Sequence, residues 1–136
     1  MKKGILYLVD EDYSTKAYYR EGKEDIPSLN VFIKQLYFDE LKDYQTYKKI
    51  ISKKLNITQL IPLYINDKTL LWIIKNQEAT FYINYYEIDS YYYDKDWMVI
   101  VFKIGRVLHI KKTYSSYLRD IKRIKQILHY LDKMKI

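Results

Sequence analysis

A chain of 136 residues without a single cysteine leaves no place for disulfide frameworks, thiolate zinc sites, iron–sulfur clusters or cysteine nucleophiles. It is long enough for one domain that buries roughly two thirds of its unfolded surface, and with only three Gly and two Pro it is not built as a loop-dominated or disordered protein. Lys and Arg number 24 against 17 Asp and Glu, a formal net charge of +7, and the excess is concentrated: residues 111–136 hold eight of the basic residues and two of the acids, leaving sixteen against fifteen elsewhere.

The N-terminus, Met1-Lys2-Lys3-Gly4-Ile5-Leu6-Tyr7-Leu8-Val9, begins like a signal peptide but meets Asp10-Glu11-Asp12 after five apolar residues, too few for the apolar region of a leader. A strand is predicted over 3–9 instead, joined through the acidic turn to a second arm over 14–21 that ends at Gly22. Leu29, Phe32, Ile33, Leu36 and Tyr37 have helical spacing, and Pro27 suits a first helical turn, so 27–41 is predicted helical. A second helix is predicted over 43–55, with Asp43 as N-cap and Tyr44, Tyr47, Ile50 and Ile51 on one face. Lys48, Lys49, Lys53 and Lys54 make it basic. After Asn56 the pattern turns to β: 60–66 and 69–75 flank the turn Asn66-Asp67-Lys68, and 80–90 and 97–103 lie on either side of Asp94-Lys95-Asp96. Gly105 suits the left-handed position of a hairpin leading into 107–111.

Thr113 or Ser115 then caps a terminal helix in which Tyr117, Ile121, Ile124, Leu128 and Leu131 line one side, while Arg119, Lys122, Arg123, Gln126 and Lys133 fall largely elsewhere. The expected fold is α+β: a single domain over 1–136 with a mostly antiparallel β-sheet, one or two short helices in the first half and a basic amphipathic C-terminal helix. No apolar run approaches the length of a membrane span, and the expected location is cytoplasmic.

Tyrosine is abundant, 17 residues against four Phe and two Trp. Its joint enrichment with Lys, Ile and Asn fits an A/T-rich coding sequence. Catalytic constellations are sparse. The two histidines, His109 in an apolar strand and His129 on the terminal helix, read as structural or surface residues, and there is no His-Glu-x-x-His, Gly-rich phosphate loop or nucleophile elbow. Glu87 and Asp89 alternate on a predicted strand, with Asp94, Asp96, Lys95 and Lys103 nearby. Such a set serves magnesium-dependent nucleases, or it is a solvated turn. The expectation is no enzyme, no cofactor and no metal, with a small nuclease as an outlying alternative.

The order of the pieces, with Thr113-Tyr114, Ser116-Tyr117 and Arg123 at the strand-to-helix junction and Tyr82-Ile83-Asn84 upstream, resembles the ComK competence transcription factors. Thr113, Tyr114, Ser116, Tyr117 and Arg123 stand where that family carries Ile-Ser-Tyr, a small residue, Ser-Phe and the Arg that opens its helix. The stretch 97–110 is similar to the family's strand, Phe-x-Asn-Gly turn and second strand, and Tyr82-Ile83-Asn84 to its Trp-Ile-Ser or Trp-Ile-Asn. Tyr47-Lys48-Lys49 through Ile61-Pro62-Leu63-Tyr64-Ile65 is similar to its basic stretch and Pro-Ile-x-Ile strand, and 5–16 to its first two strands. The departures are Asp120 in place of Gln, Ile73-Ile74-Lys75 in place of Phe-Pro-Thr, and the missing cysteines. The longer tail through which family members meet an adaptor–protease system is also absent, so that contact is not expected.

The resemblance implies a transcription regulator that binds A/T-rich promoter boxes, through the minor groove, as a homo-oligomer on double-stranded DNA. A cationic strip on a docked helix suits such a polyanion on its own terms. The residues expected at DNA are Lys111, Lys112, Arg119, Lys122 and Arg123, with Lys48, Lys49, Lys53 and Lys54 as a second patch. Tyr114 and Tyr117 either wedge at a base step or close the core. The alternative is an interaction module that dimerises through the apolar stripe of its terminal helix.

Overall fold

The computed structural model describes residues 4–134. Nine strands and three α-helices follow one another as β1 (Ile5–Glu11), β2 (Ser14–Tyr19), β3 (Lys23–Asp25), α1 (Leu29–Asp39), α2 (Tyr44–Leu55), β4 (Leu63–Asn66), β5 (Thr69–Lys75), β6 (Thr80–Asn84), β7 (Ile88–Asp94), β8 (Trp97–Phe102), β9 (Val107–Lys111) and α3 (Tyr114–Met134). The fold is α+β. Six strands form an antiparallel sheet in the order β3-β2-β1-β6-β5-β4, and β7, β8 and β9 form a second antiparallel sheet.

Alternation along the strands of the large sheet divides its side chains between two cores, because successive residues of a strand point to opposite faces. On β5, Leu70, Trp72 and Ile74 enter one cluster while Leu71 and Ile73 enter the other. The first cluster is closed by Met98, Ile100 and Phe102 of β8, by Ile51 of α2, and by Tyr117, Ile124 and Ile127 of α3. The second is closed by Ile33 and Tyr37 of α1. With both faces covered, β5 must be apolar at nearly every position, and Leu70-Leu71-Trp72-Ile73-Ile74 meets that demand. A bulge between Ile5 and Tyr7 sets Leu6 and Tyr7 on the same face.

Several expectations are met closely. Asp43 caps α2, its carboxylate accepting from the Thr46 backbone N–H at 2.9 Å and the Thr46 hydroxyl at 2.8 Å. Gly105 has φ +93° and donates its N–H to the Phe102 carbonyl at 2.8 Å, closing the β8–β9 hairpin. Thr113, not Ser115, caps α3, its hydroxyl accepting from Ser116 N–H at 3.3 Å.

Others are corrected or fall outside the described residues. Lys3, expected to open the first strand, lies outside the described residues. Pro27 precedes the N-cap of α1, which is Ser28. Ile50 is exposed, so Ile51 alone buries deeply from its helix. The single strand expected over 80–90 is two strands in different sheets, parted by a 3-10 turn at Tyr85–Glu87. Asn84 causes the break. Its buried amide oxygen accepts from Leu70 N–H at 3.1 Å and Tyr86 N–H at 3.3 Å, while its NH₂ donates to Ile5 at 3.1 Å and Lys68 at 3.0 Å. A side chain that satisfies so many backbone groups replaces the ladder there and lets the chain leave the sheet.

Candidate nucleic-acid interface

Helix α3 meets the core through a face offset from the expected stripe. Tyr117, Asp120, Ile124 and Ile127 are buried, whereas Ile121, Leu128 and Leu131 lie on its half-buried flank. The fully buried Trp72 side chain of β5 donates its indole N–H to the Asp120 carbonyl at 3.0 Å, fixing the helix to the central sheet. This docking turns Arg119, Lys122 and Lys125 outward, all exposed. Lys122 and Lys125 line a shallow groove on the helix with Leu118, Ile121, Gln126 and His129. Lys125 was not among the expected contacts, although its spacing from Lys122 already placed it on the same side.

Two expected contacts are redefined by Asp120. Lys112, counted as a DNA-facing cation, is instead buried: its ammonium pairs with Asp120 Oδ2 at 2.5 Å and donates to the Lys75 carbonyl at 3.0 Å. Reaching a phosphate would strand a carboxylate in the core, so Lys112 is withdrawn from the interface. Arg123 is drawn inward as well, its Nη1 3.2 Å from Asp120 Oδ1 and its side chain 23% exposed. Arg119 and Arg123 therefore do not share the surface equally. Burial pushes the Asp120 carboxyl above its usual range, and the hydrogen bond and charge of Lys112, with the charges of Arg123 and Arg119, oppose that shift.

Lys111 is exposed at the end of β9, just before α3 begins. The second patch lies on α2. Lys49, Lys53 and Lys54 are exposed there, and the Lys48 ammonium rests 4.8 Å from the centre of the Tyr44 ring. Tyr117 closes the core, while Tyr114 is exposed and packs edge-on to Tyr93 with ring centres 5.2 Å apart. His109 and His129 are both on the surface.

The carboxylates do not take up the arrangement weighed for a nuclease. Glu87 lies in the 3-10 turn rather than on a strand, buried, and is gripped by Arg20 through Nε to Oε1 at 2.6 Å and Nη2 to Oε2 at 2.7 Å. Asp94 and Asp96 frame a tight hairpin in which Lys95 and Asp96 have positive φ. No group of three or more His, Asp or Glu among the described residues is placed to share a metal ion.

No family model, curated protein or solved structure matches this chain. Among the described residues no helix is long and apolar enough to cross a membrane.

Proposed function

We propose that the chain is a ComK-like transcription regulator that holds A/T-rich duplex DNA against the outward side of α3. The observation that carries this reading is the fate of Asp120. It is the one acid between Lys111 and Leu131, and it is buried beneath the helix, so Lys111, Arg119, Lys122 and Lys125 present positive charge with no carboxylate among them. Cations so placed neutralise phosphates and release counterions. They also favour the narrow minor groove of A-tracts, where the negative potential is strongest and base edges carry little code. Lys49, Lys53 and Lys54 form a second exposed cluster for the flanking backbone. More than one copy on paired boxes is part of the proposal.

The interaction-module alternative gains less support. Dimerisation through the apolar stripe of α3 would need that stripe free, and two of its members, Tyr117 and Ile124, are packed inside the molecule.

Fluorescence anisotropy on an A/T-rich duplex and a G/C-rich control, at low and moderate salt, tests the proposal. Six phosphate contacts would lower affinity about a thousandfold between 50 and 200 mM salt. The pair Arg119→Ala and Lys122→Ala is expected to weaken binding and flatten that salt dependence without shifting the melting temperature, since neither side chain is buried. Equal affinity for both duplexes, or binding indifferent to the two substitutions, would refute it.

A further inference from the structure

The three-stranded sheet covers the first core with one face only. Ile88, Tyr91 and Tyr93 of β7, and Met98, Ile100 and Phe102 of β8, point inward. The opposite face has no layer over it among the described residues. Its register is fixed: Asp94, Trp97 and Lys111 form one cross-strand row, and Tyr92, Val99 and His109 form the next. Trp97 is 42% exposed and Tyr92 50% exposed, and His109 is also exposed. Three rings thus stand on three adjacent strands.

Val99 shows how they lie. It belongs to neither core, points out from the sheet, and is still only 2% exposed. With nothing above it, its neighbours must cover it: Tyr92 and His109 on either side in its row, and Trp97 two residues away along the strand. The Trp97 and His109 rings meet edge-on, with centres 6.4 Å apart. The two ring planes are 82° apart, so the edge of one is set against the face of the other and their relative orientation is fixed. Lys111 lies directly across from Trp97 on β9 and Asp94 across from it on β7, so the β9 side is the cationic end of this row.

We propose that this face binds unpaired nucleobases, with Trp97 and Tyr92 as stacking surfaces, His109 braced edge-on against Trp97, and Lys111 as the phosphate contact. Rings on neighbouring strands of an open sheet can stack successive bases of a single strand, and stacking is tolerant of sequence because every base has a π-face. A second copy of the chain is the weaker occupant, because a net charge of +7 opposes self-association. The site shares Lys111 with the proposed duplex-binding surface but none of Arg119, Lys122 and Lys125, so substitutions confined to α3 separate the two proposals.

Trp97 supplies its own assay, since the only other tryptophan, Trp72, is fully buried. A short oligothymidylate and a short oligouridylate would each be titrated while tryptophan emission is followed, with a blunt duplex as control. The expected result is saturable quenching of the parent protein by the single strands; by anisotropy of a labelled strand, affinity falls about ten- to hundredfold in Trp97→Ser and is retained in Trp97→Phe. Quenching should survive Arg119→Ala with Lys122→Ala. Preference for one of the two oligomers would tell whether DNA or RNA is the source of the bases. Absence of quenching by either strand would overturn the proposal, as would dependence on the α3 cations. So would a dimer in sedimentation that Trp97→Ser dissolves, which would assign the face to a second copy. Circular dichroism of both Trp97 variants checks that they fold.

Discussion

Asp120 governs more of this protein than its single charge suggests. It takes up the Lys112 ammonium inside the core and draws Arg123 against the helix. Breaking a buried pair from one side is far more damaging than replacing both partners, because it leaves an uncompensated ion in low dielectric. Asp120→Ala is therefore expected to destabilise the fold by about 3–5 kcal/mol, read as a lower urea midpoint. Lys112→Met combined with Asp120→Leu should recover most of that loss. A double variant as unstable as the single one would show that the carboxylate acts through something other than Lys112. None of this pairing was legible in the sequence. Lys111 and Lys112 are adjacent and chemically alike, and only the alternation of β9 as it enters α3 sends one to solvent and the other inward. The Lys122–Lys125 spacing, by contrast, was legible and passed over.

At the scale of elements, hydrophobic period and capping chemistry located most helices and strands. Asp43 is the clearest case, since a carboxylate three residues before a hydroxyl and a free N–H satisfies an orphan donor at the start of a helix. The bond from the Thr46 hydroxyl, then that from its backbone N–H, hold the Asp43 carboxyl below its usual range. A carboxyl whose pKa is lower folded than unfolded stabilises above the unfolded value, about 3.9, and that contribution fades as pH falls through the lower folded value. Asp43→Asn keeps an acceptor at the cap but removes the titration, so its stability profile below pH 5 should be flatter than that of the parent. Parallel profiles in acid urea melts would contradict the assignment.

What element-level reading could not see was the passage between sheets. Tyr85-Tyr86-Glu87-Ile88 is as competent for a strand as what precedes it, and the break depends on four backbone groups, from residues 5, 68, 70 and 86, converging on Asn84. The short β3 was missed for the opposite reason. Lys23-Glu24-Asp25 has no apolar alternation to read, and it pairs at the sheet edge only because β2 offers one.

Across the whole molecule, isoleucine fills more of the buried core positions than any other residue, but tyrosine, the most distinctive entry in the composition, packs into and around both cores. Tyr37, Tyr47 and Tyr82 are drawn into low-dielectric surroundings, and burial pushes their hydroxyls up, that of Tyr82 to about 12. Tyr7, Tyr86 and Tyr91 are raised for the same first reason. Once pH passes about 10, an unfolded chain loses phenolic protons that the folded chain still holds, and stability must fall with further increase in pH. The expected outcome is a cooperative alkaline transition in which tyrosinate absorbance and the loss of β-sheet circular dichroism rise together. Gradual, independent titration of the phenols with the dichroism intact would mean that their burial is looser than described.

The place of β1 in the large sheet has a consequence for how the chain comes off a ribosome. Although first in sequence, β1 sits in the interior of the sheet, between β2 and β6, and its Ile5 carbonyl is met by Asn84. An early hairpin of β1 and β2 therefore emerges with one open edge and holds it until residue 84 has left the exit tunnel. The first core stays uncovered for longer still, until Ile124 and Ile127 arrive. Synthesis runs from one end to the other, but the first core closes only when α3 arrives, and until then its apolar surface is open to a chaperone.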